Sequence, residues 1–204
     1  MQKTSFPFEI IIYDDASTDK TAQIVKENVD KYPHLFIPIF QTENQYSKGV
    51  NLFSKYVFPK ARGEYLALCE GDDYWTDPNK LQKQVTFLDN HPTYAMCSHE
   101  VEITFEGVEK VDNLYGEPII DADFDQILNA TMFIALNSIV YRKRYLSVMP
   151  DWLDKLPGAH RALILLVTSK GRNYHFLDKM GVKRKNPGGI TYVQKRFRDK
   201  QNKK

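Results

Sequence analysis

Cysteine is almost absent from this 204-residue sequence, with two residues at positions 69 and 97. That number excludes a disulfide framework, and the separation fits no metal-ligand spacing. Reduced, buried thiols in a cytosolic setting are therefore expected. No apolar run approaches the ~20 residues that a membrane-spanning helix needs. The opening Met1-Gln2-Lys3-Thr4-Ser5-Phe6-Pro7 lacks the long apolar stretch of a secretory signal. Net charge is small as well. Lys and Arg number 28 and Asp and Glu 26, and a net charge of +2 argues against general affinity for nucleic acid. There is no internal repeat, no low-complexity linker and no Gly-rich basic loop near the start. The last of these speaks against a nucleotidyltransferase-type enzyme.

What is present is the material of a globular domain. Hydrophobic residues make up 42% of the chain and charged ones 26%, and the length suffices for one domain with a sizeable core. Twelve Tyr, twelve Phe and two Trp are first of all core residues, with stacking on a ring-shaped ligand as the rarer use.

The run Phe8-Glu9-Ile10-Ile11-Ile12-Tyr13 predicts a central strand buried on both faces. Ser17 or Thr18 then caps a helix bearing Ala22, Val25, Val29 and Tyr32 on one face. Leu35 to Phe40 predicts a second strand, placed at an edge or bulged by Pro38. A polar loop over Gln41 to Lys48 precedes a helical stretch reaching Ala61, and Glu64 to Cys69 reads as a third strand. Asp77 as N-cap and Pro78 open a helix with Leu81, Val85 and Leu88 on one face. Alternating strands and helices imply an α/β sandwich with a parallel sheet, whose ligands bind at the C-terminal ends of the strands. Further on, strands are expected over Tyr94–Phe105, Leu136–Arg142, Asn173–Leu177 and Gly181–Arg184. Helices are expected over Phe124–Leu128 and His160–Ser169.

Two acidic turns stand at such strand ends, Asp14-Asp15 and Cys69-Glu70-Gly71-Asp72-Asp73. Adjacent carboxylates at the end of a buried strand repel unless something positive joins them. A divalent cation relieves that repulsion and bridges to diphosphate oxygens. Gly71 permits the tight turn, and Tyr74-Trp75 offers an apolar floor. Helix capping alone would also account for Asp72, Asp73 and Asp77.

The residues carry a family resemblance. Phe8 through Thr21 is similar to the "E-I-I-hydrophobic-D-D-x-S-x-D-x-T" segment of family-two glycosyltransferases. Ala61 through Asp73 resembles the same family's "A-x-G-E-Y-I…D-D" stretch with its DxD-type metal motif, and Trp75-Thr76-Asp77-Pro78 and Lys80-Leu81-Gln82 continue the match. The resemblance implies a GT-A fold, a Rossmann-like, mostly parallel sheet flanked by helices. It also implies a nucleotide-diphospho-sugar donor, Mg²⁺ or Mn²⁺, and inversion at the anomeric carbon. By position, Asp15 is expected at the nucleotide base, Asp72 near the ribose or sugar, and Asp73 on the metal. Lys48 is expected at the diphosphate or base, with a solvated loop lysine as the alternative. The domain is expected over residues 1–192. A basic tail over 193–204 would either be solvated or touch acidic lipid at a membrane surface, which suits a glycan or lipid-linked acceptor.

Three places depart from the family pattern. The strand and helix that usually precede Met1 are missing, so an incomplete chain is expected. The catalytic Asp expected before the last helix is replaced by His160, with Asp151 or Asp154 as alternative bases. The family's "Y-R-x-H-x-G-G" reads Lys183-Arg184-Lys185-Asn186-Pro187-Gly188-Gly189, where Arg184 is kept as a diphosphate contact and Asn186 stands for the His. A degenerate domain that binds nucleotide sugar or a protein partner without turnover is the rival reading.

Overall fold

The computed structural model describes residues 1–105, 117–129, 134–146, 150, 152–153, 156 and 159–185. The loop Asn186-Pro187-Gly188-Gly189, the tail 193–204, Asp151 and Asp154 lie outside the described residues. The chain divides into two compact units.

One unit holds Thr4–Leu66 and Arg142–Lys170. Its β1 (Ile10–Asp14) and β2 (Phe36–Phe40) pair in parallel and in unbroken register, with Pro38 opposite Ile12. The missing Pro38 N–H is tolerated because β2 is an edge strand. Among the described residues β1 pairs with β2 alone, and Ile10 to Tyr13 are half-buried where burial on both faces was expected. Between the strands lies α1 (Thr21–Lys31), whose cap falls three residues after Ser17 and two after Thr18, the caps expected. Lys20 is its N-cap, and Asp19 Oδ1 accepts the Thr21 N–H at 2.9 Å. The stretch expected as a helix up to Ala61 is irregular. A wide turn over Phe53–Val57 passes into a tight one over Phe58–Lys60. Pro59 cannot donate to an α-helical ladder, which accounts for the change of pitch there. The unit closes with α4 (Ala159–Thr168), whose Leu163, Ile164 and Val167 are buried.

The other unit holds Met1–Lys3, Ala67–Tyr141 and the chain from Gly171. After β3 (Tyr65–Ala67) come β4 (Tyr74–Trp75), α2 (Lys80–Asn90) and β5 (Tyr94–Phe105). Then follow β6 (Asp121–Ala122), α3 (Phe124–Asn129), β7 (Val140–Arg142) and β8 (Arg172–Lys185). The sheet runs β7-β5-β8-β4, with β6 also on β8. Among the described residues β5 and β8 pair in parallel while β7, β4 and β6 join antiparallel, so this sheet is mixed. The two short strands expected over 173–184 are one strand, and its register on β5 slips between His99 and Val101. The slip leaves Leu177, Asp178 and Lys179 exposed, the polar interruption that reads as a gap. Leu136–Ser138, expected as strand, is a tight helical turn before β7.

Leu81, Val85 and Leu88 of α2 are buried, as are Ala95, Met96 and Cys97 of β5. The cap of α2 is Asn79, not Asp77. Asp77 Oδ1 accepts the Asn79 N–H at 2.7 Å, and Oδ2 pairs with Lys83 at 2.9 Å. Gln2 supplies a capping acceptor from far along the chain, its Oε1 taking the Leu81 N–H at 2.9 Å.

Candidate functional site

The acidic turn follows β3. Its backbone closes with the Asp73 N–H on the Glu70 carbonyl at 3.0 Å, which gathers three carboxylates. One ligand oxygen from each of Glu70, Asp72 and Asp73 lies within 4.8 Å of the others. Directly after the turn, β4 ties it to the sheet, with Tyr74 opposite Val182 and Trp75 opposite Gly181. Trp75 Nε1 donates to the Asn137 carbonyl at 2.7 Å. Tyr74 is exposed, so of the two aromatics Trp75 alone anchors the turn.

Asp73 is the buried member, and the end of β8 supplies its partners. The Arg184 N–H donates to Asp73 Oδ1 at 2.9 Å, and Lys183 Nζ stands 3.3 Å from Oδ2 and 2.7 Å from Glu70 Oε2. Arg184 Nε also donates to the Asp72 carbonyl. Burial raises the Asp73 carboxyl above its ordinary range, against the opposing pull of Arg184 and Lys183. Burial would depress Lys183, but Glu70 and Asp73 outweigh it and leave the ammonium raised. The donor set is all oxygen, clustered and in part desolvated, which fits a hard divalent cation. Asp73, Asp72 and Arg184 are thus brought together. Glu70, part of the predicted acidic turn but given no role of its own, joins them, as does Lys183, to which the sequence assigned none. No sequence signal pairs Lys183 with carboxylates more than a hundred positions earlier.

Cys69 is exposed, not buried, because β3 ends at Ala67 and leaves it in the turn. Local desolvation, then the Asp73 carboxylate, pushes its thiol up to about 11, so it stays protonated at neutral pH. Cys97 is buried, and neither cysteine forms a disulfide.

In the other unit, β1 ends at Asp14 and the chain turns through Ala16, whose φ of 59° is left-handed. Asp15 Oδ1 accepts the Gln45 N–H at 2.8 Å and the Tyr13 hydroxyl at 3.0 Å, and Oδ2 accepts the Tyr46 N–H at 2.9 Å. Burial would raise its carboxyl, but the Gln45 and Tyr46 N–H groups outweigh it and hold it low. Asp15 therefore fixes the turn Tyr46–Lys48, on which exposed Lys48 pairs with Glu43. Tyr56 stacks on Tyr13 with ring centroids 5.5 Å apart. Asp14 is buried, and its Oδ1 has no hydrogen-bond partner, a buried acceptor that sequence reading did not single out. His160 is exposed at the second position of α4. An Asp15→Asn variant keeps the volume but one of the two backbone N–H groups loses its acceptor. The expected cost is about 1–2 kcal/mol. Urea denaturation should record it, with faster proteolysis between Gln41 and Gly49.

A sequence profile described as "Glycosyl transferase family 2" matches residues 1–147. An uncharacterized protein of Mycobacterium tuberculosis is 47% identical over 161 residues, covering 74% of this chain and 45% of that protein. The chain thus spans about half the length of such curated relatives. The Escherichia coli UDP-Glc:alpha-D-GlcNAc-diphosphoundecaprenol beta-1,3-glucosyltransferase WfaP is 31% identical over 179 residues, covering 87% of this chain and 66% of that one. Among solved structures, Staphylococcus aureus TarS 1–349 in complex with UDP superposes with a TM-score of 0.62 at 20% identity. That match covers 90% of this chain and 54% of TarS 1–349. The α/β arrangement is the GT-A fold expected from the sequence.

Proposed function

The chain belongs to glycosyl transferase family 2, and from that premise we propose that it carries the donor site of a metal-dependent, inverting glycosyltransferase. The observation that carries the reading is the turn of Glu70, Asp72 and Asp73, three carboxylate oxygens within 4.8 Å at the end of a strand. Asp73, with Asp72 and Glu70 beside it, would hold Mg²⁺ or Mn²⁺. Bound there, the ion supplies Lewis-acid stabilisation of the departing diphosphate.

The remaining roles belong to the chain's own side chains. Arg184 contributes charge toward the diphosphate, and Lys48 is a second candidate for it. Asp15 holds the loop at the nucleotide base, and the unpartnered Asp14 Oδ1 can accept a donor there. His160 takes the proton of the acceptor hydroxyl as that oxygen bonds to the anomeric carbon. The carbon–oxygen bond to the diphosphate breaks on the opposite face, its electron pair leaving with the diphosphate, and one such displacement inverts the centre. Imidazole titrates near neutrality and suits the task.

The acceptor in this reading is a glycan or a lipid-linked sugar, used at the cytoplasmic face in the assembly of an envelope polysaccharide. The diphosphoundecaprenol-linked acceptor named for WfaP supports it. No helix among the described residues is long and apolar enough to cross a membrane.

Incubation with UDP-, GDP- and dTDP-sugars and a diphosphopolyprenol-linked glycan tests the reading, with product detected by mass spectrometry. Transfer with one donor, lost in EDTA, is expected. Donor binding with no transfer from any of them would instead identify a degenerate domain. His160→Ala is expected to lower kcat by on the order of 10²-fold or more while leaving the Kd for UDP unchanged. An unchanged kcat would remove His160 as the base.

A further inference from the structure

The acidic turn carries a cation of its own. Lys183 Nζ lies 2.7 Å from Glu70 Oε2 and 3.3 Å from Asp73 Oδ2. The Asp73 side chain has 0% exposed surface and that of Lys183 18%. The other Asp73 oxygen is taken by the Arg184 N–H at 2.9 Å. Each oxygen of Asp73 therefore has a donor in place, and a cation coming to Oδ2 is opposed by the charge of the ammonium.

From this geometry we infer that Lys183 is an exchangeable counterion: it occupies the cation position of the turn, yields it to a divalent ion, and then serves the donor's diphosphate. The inference rests on the reading of the turn as the metal and diphosphate site. Its physical basis is the repulsion among three clustered carboxylates, which needs a positive partner before any ligand arrives. The two basic residues at the end of β8 divide the work. Arg184 is fixed through its backbone N–H on Asp73 and its Nε on the Asp72 carbonyl. Lys183 touches the turn only through a compact ammonium on a flexible four-carbon stem, the kind of group that can leave and stay near. Once displaced, it is a cation with three free donors beside the turn, matched to an anion of the diphosphate class.

The test is Mn²⁺ titration of the nucleotide-free protein, wild type against Lys183→Met and Lys183→Gln, each checked for folding by circular dichroism. With the internal competitor gone, both variants are expected to bind Mn²⁺ on the order of tenfold more tightly. In saturating Mn²⁺ they should bind UDP more weakly than wild type. In the unaltered protein, acylation of Lys183 by an amine-reactive reagent, followed by mass spectrometry, should increase when Mn²⁺ is added. Equal or weaker Mn²⁺ binding by the variants, or no change in acylation, would overturn the counterion role while leaving the metal site standing. Absence of Mn²⁺ binding in all three folded proteins would overturn the metal reading and this inference together.

Discussion

An Asp73→Asn variant is expected to lose turnover by on the order of 10²–10³-fold or more without losing stability. The amide keeps the volume of the carboxylate, and its oxygen still accepts the Arg184 N–H that Asp73 Oδ1 accepts at 2.9 Å. What disappears is the negative charge, and an NH₂ now faces the Lys183 ammonium that stood 3.3 Å from Oδ2. For stability the change is mild. The Asp73 carboxyl is raised in the folded protein, with burial as the main cause. Its unfolded form ionises more readily, so above the ordinary carboxylate range the charge favours unfolding, and a neutral Asn relieves that. The expected signature is a melting temperature at or above wild type, Mn²⁺ binding lost and transfer abolished. A variant that melts lower and still turns over would make Asp73 a structural residue.

The second large effect is on stability, at Lys80. Its side chain is fully buried, with Nζ donating to Gln84 Oε1 at 2.7 Å and lying 4.2 Å from the Trp75 ring centroid. The ionisable groups that act on it are the thiols of Cys97 and Cys69, and it acts in turn on His99. Burial pushes the Lys80 ammonium down to about 7 from 10.5. The unfolded chain thus binds one more proton than the folded one between about pH 7 and 10.5. Stability should rise with pH across that window and be lost as pH falls toward 7, by an amount on the order of 5 kcal/mol. A Lys80→Met variant removes the buried charge but leaves Gln84 Oε1 without its donor, a cost of about 1–3 kcal/mol. A net gain of about 2–4 kcal/mol at pH 7 is expected, gone by pH 10. Urea denaturation of both proteins at pH 7, 8.5 and 10 reads it. Parallel pH profiles for the two would contradict the account. His99, buried and pushed down to about 3 by desolvation and then by Lys80, adds a second limb. Its stability contribution is lost as pH falls from 6.5 toward 3.

What the sequence made legible and what it hid divide along the reach of the interactions. Strand β1, helices α1, α2 and α4, and the acidic turn follow from local periodicity and local charge, which neighbours in sequence decide. The long strand β8 was hidden because its bulge at Leu177–Lys179 mimics a loop. The irregular Phe53–Lys60 stretch was hidden because apolar spacing cannot distinguish a wide turn from a regular helix. Lys80 occupies a surface-like position in the α2 pattern, and only the ring of Trp75 and the amide of Gln84 make its burial possible. Lys183 marks the limit most clearly. As a basic residue near the end of β8 it reads from the sequence as solvated, and its meaning comes from Glu70 and Asp73 in a turn far up the chain. Contacts between sequence neighbours could be read from the sequence; the contact of Lys183 with Glu70 and Asp73 across the fold could not.

If the acidic turn is the donor site, metal and nucleotide bind there together. Isothermal titration of UDP into the folded protein, once in Mn²⁺ and once in EDTA, measures that directly. The account predicts binding in Mn²⁺ that weakens at least tenfold in EDTA and is lost in Asp73→Asn. UDP binding of equal strength with and without the metal, or no binding in either, would contradict it.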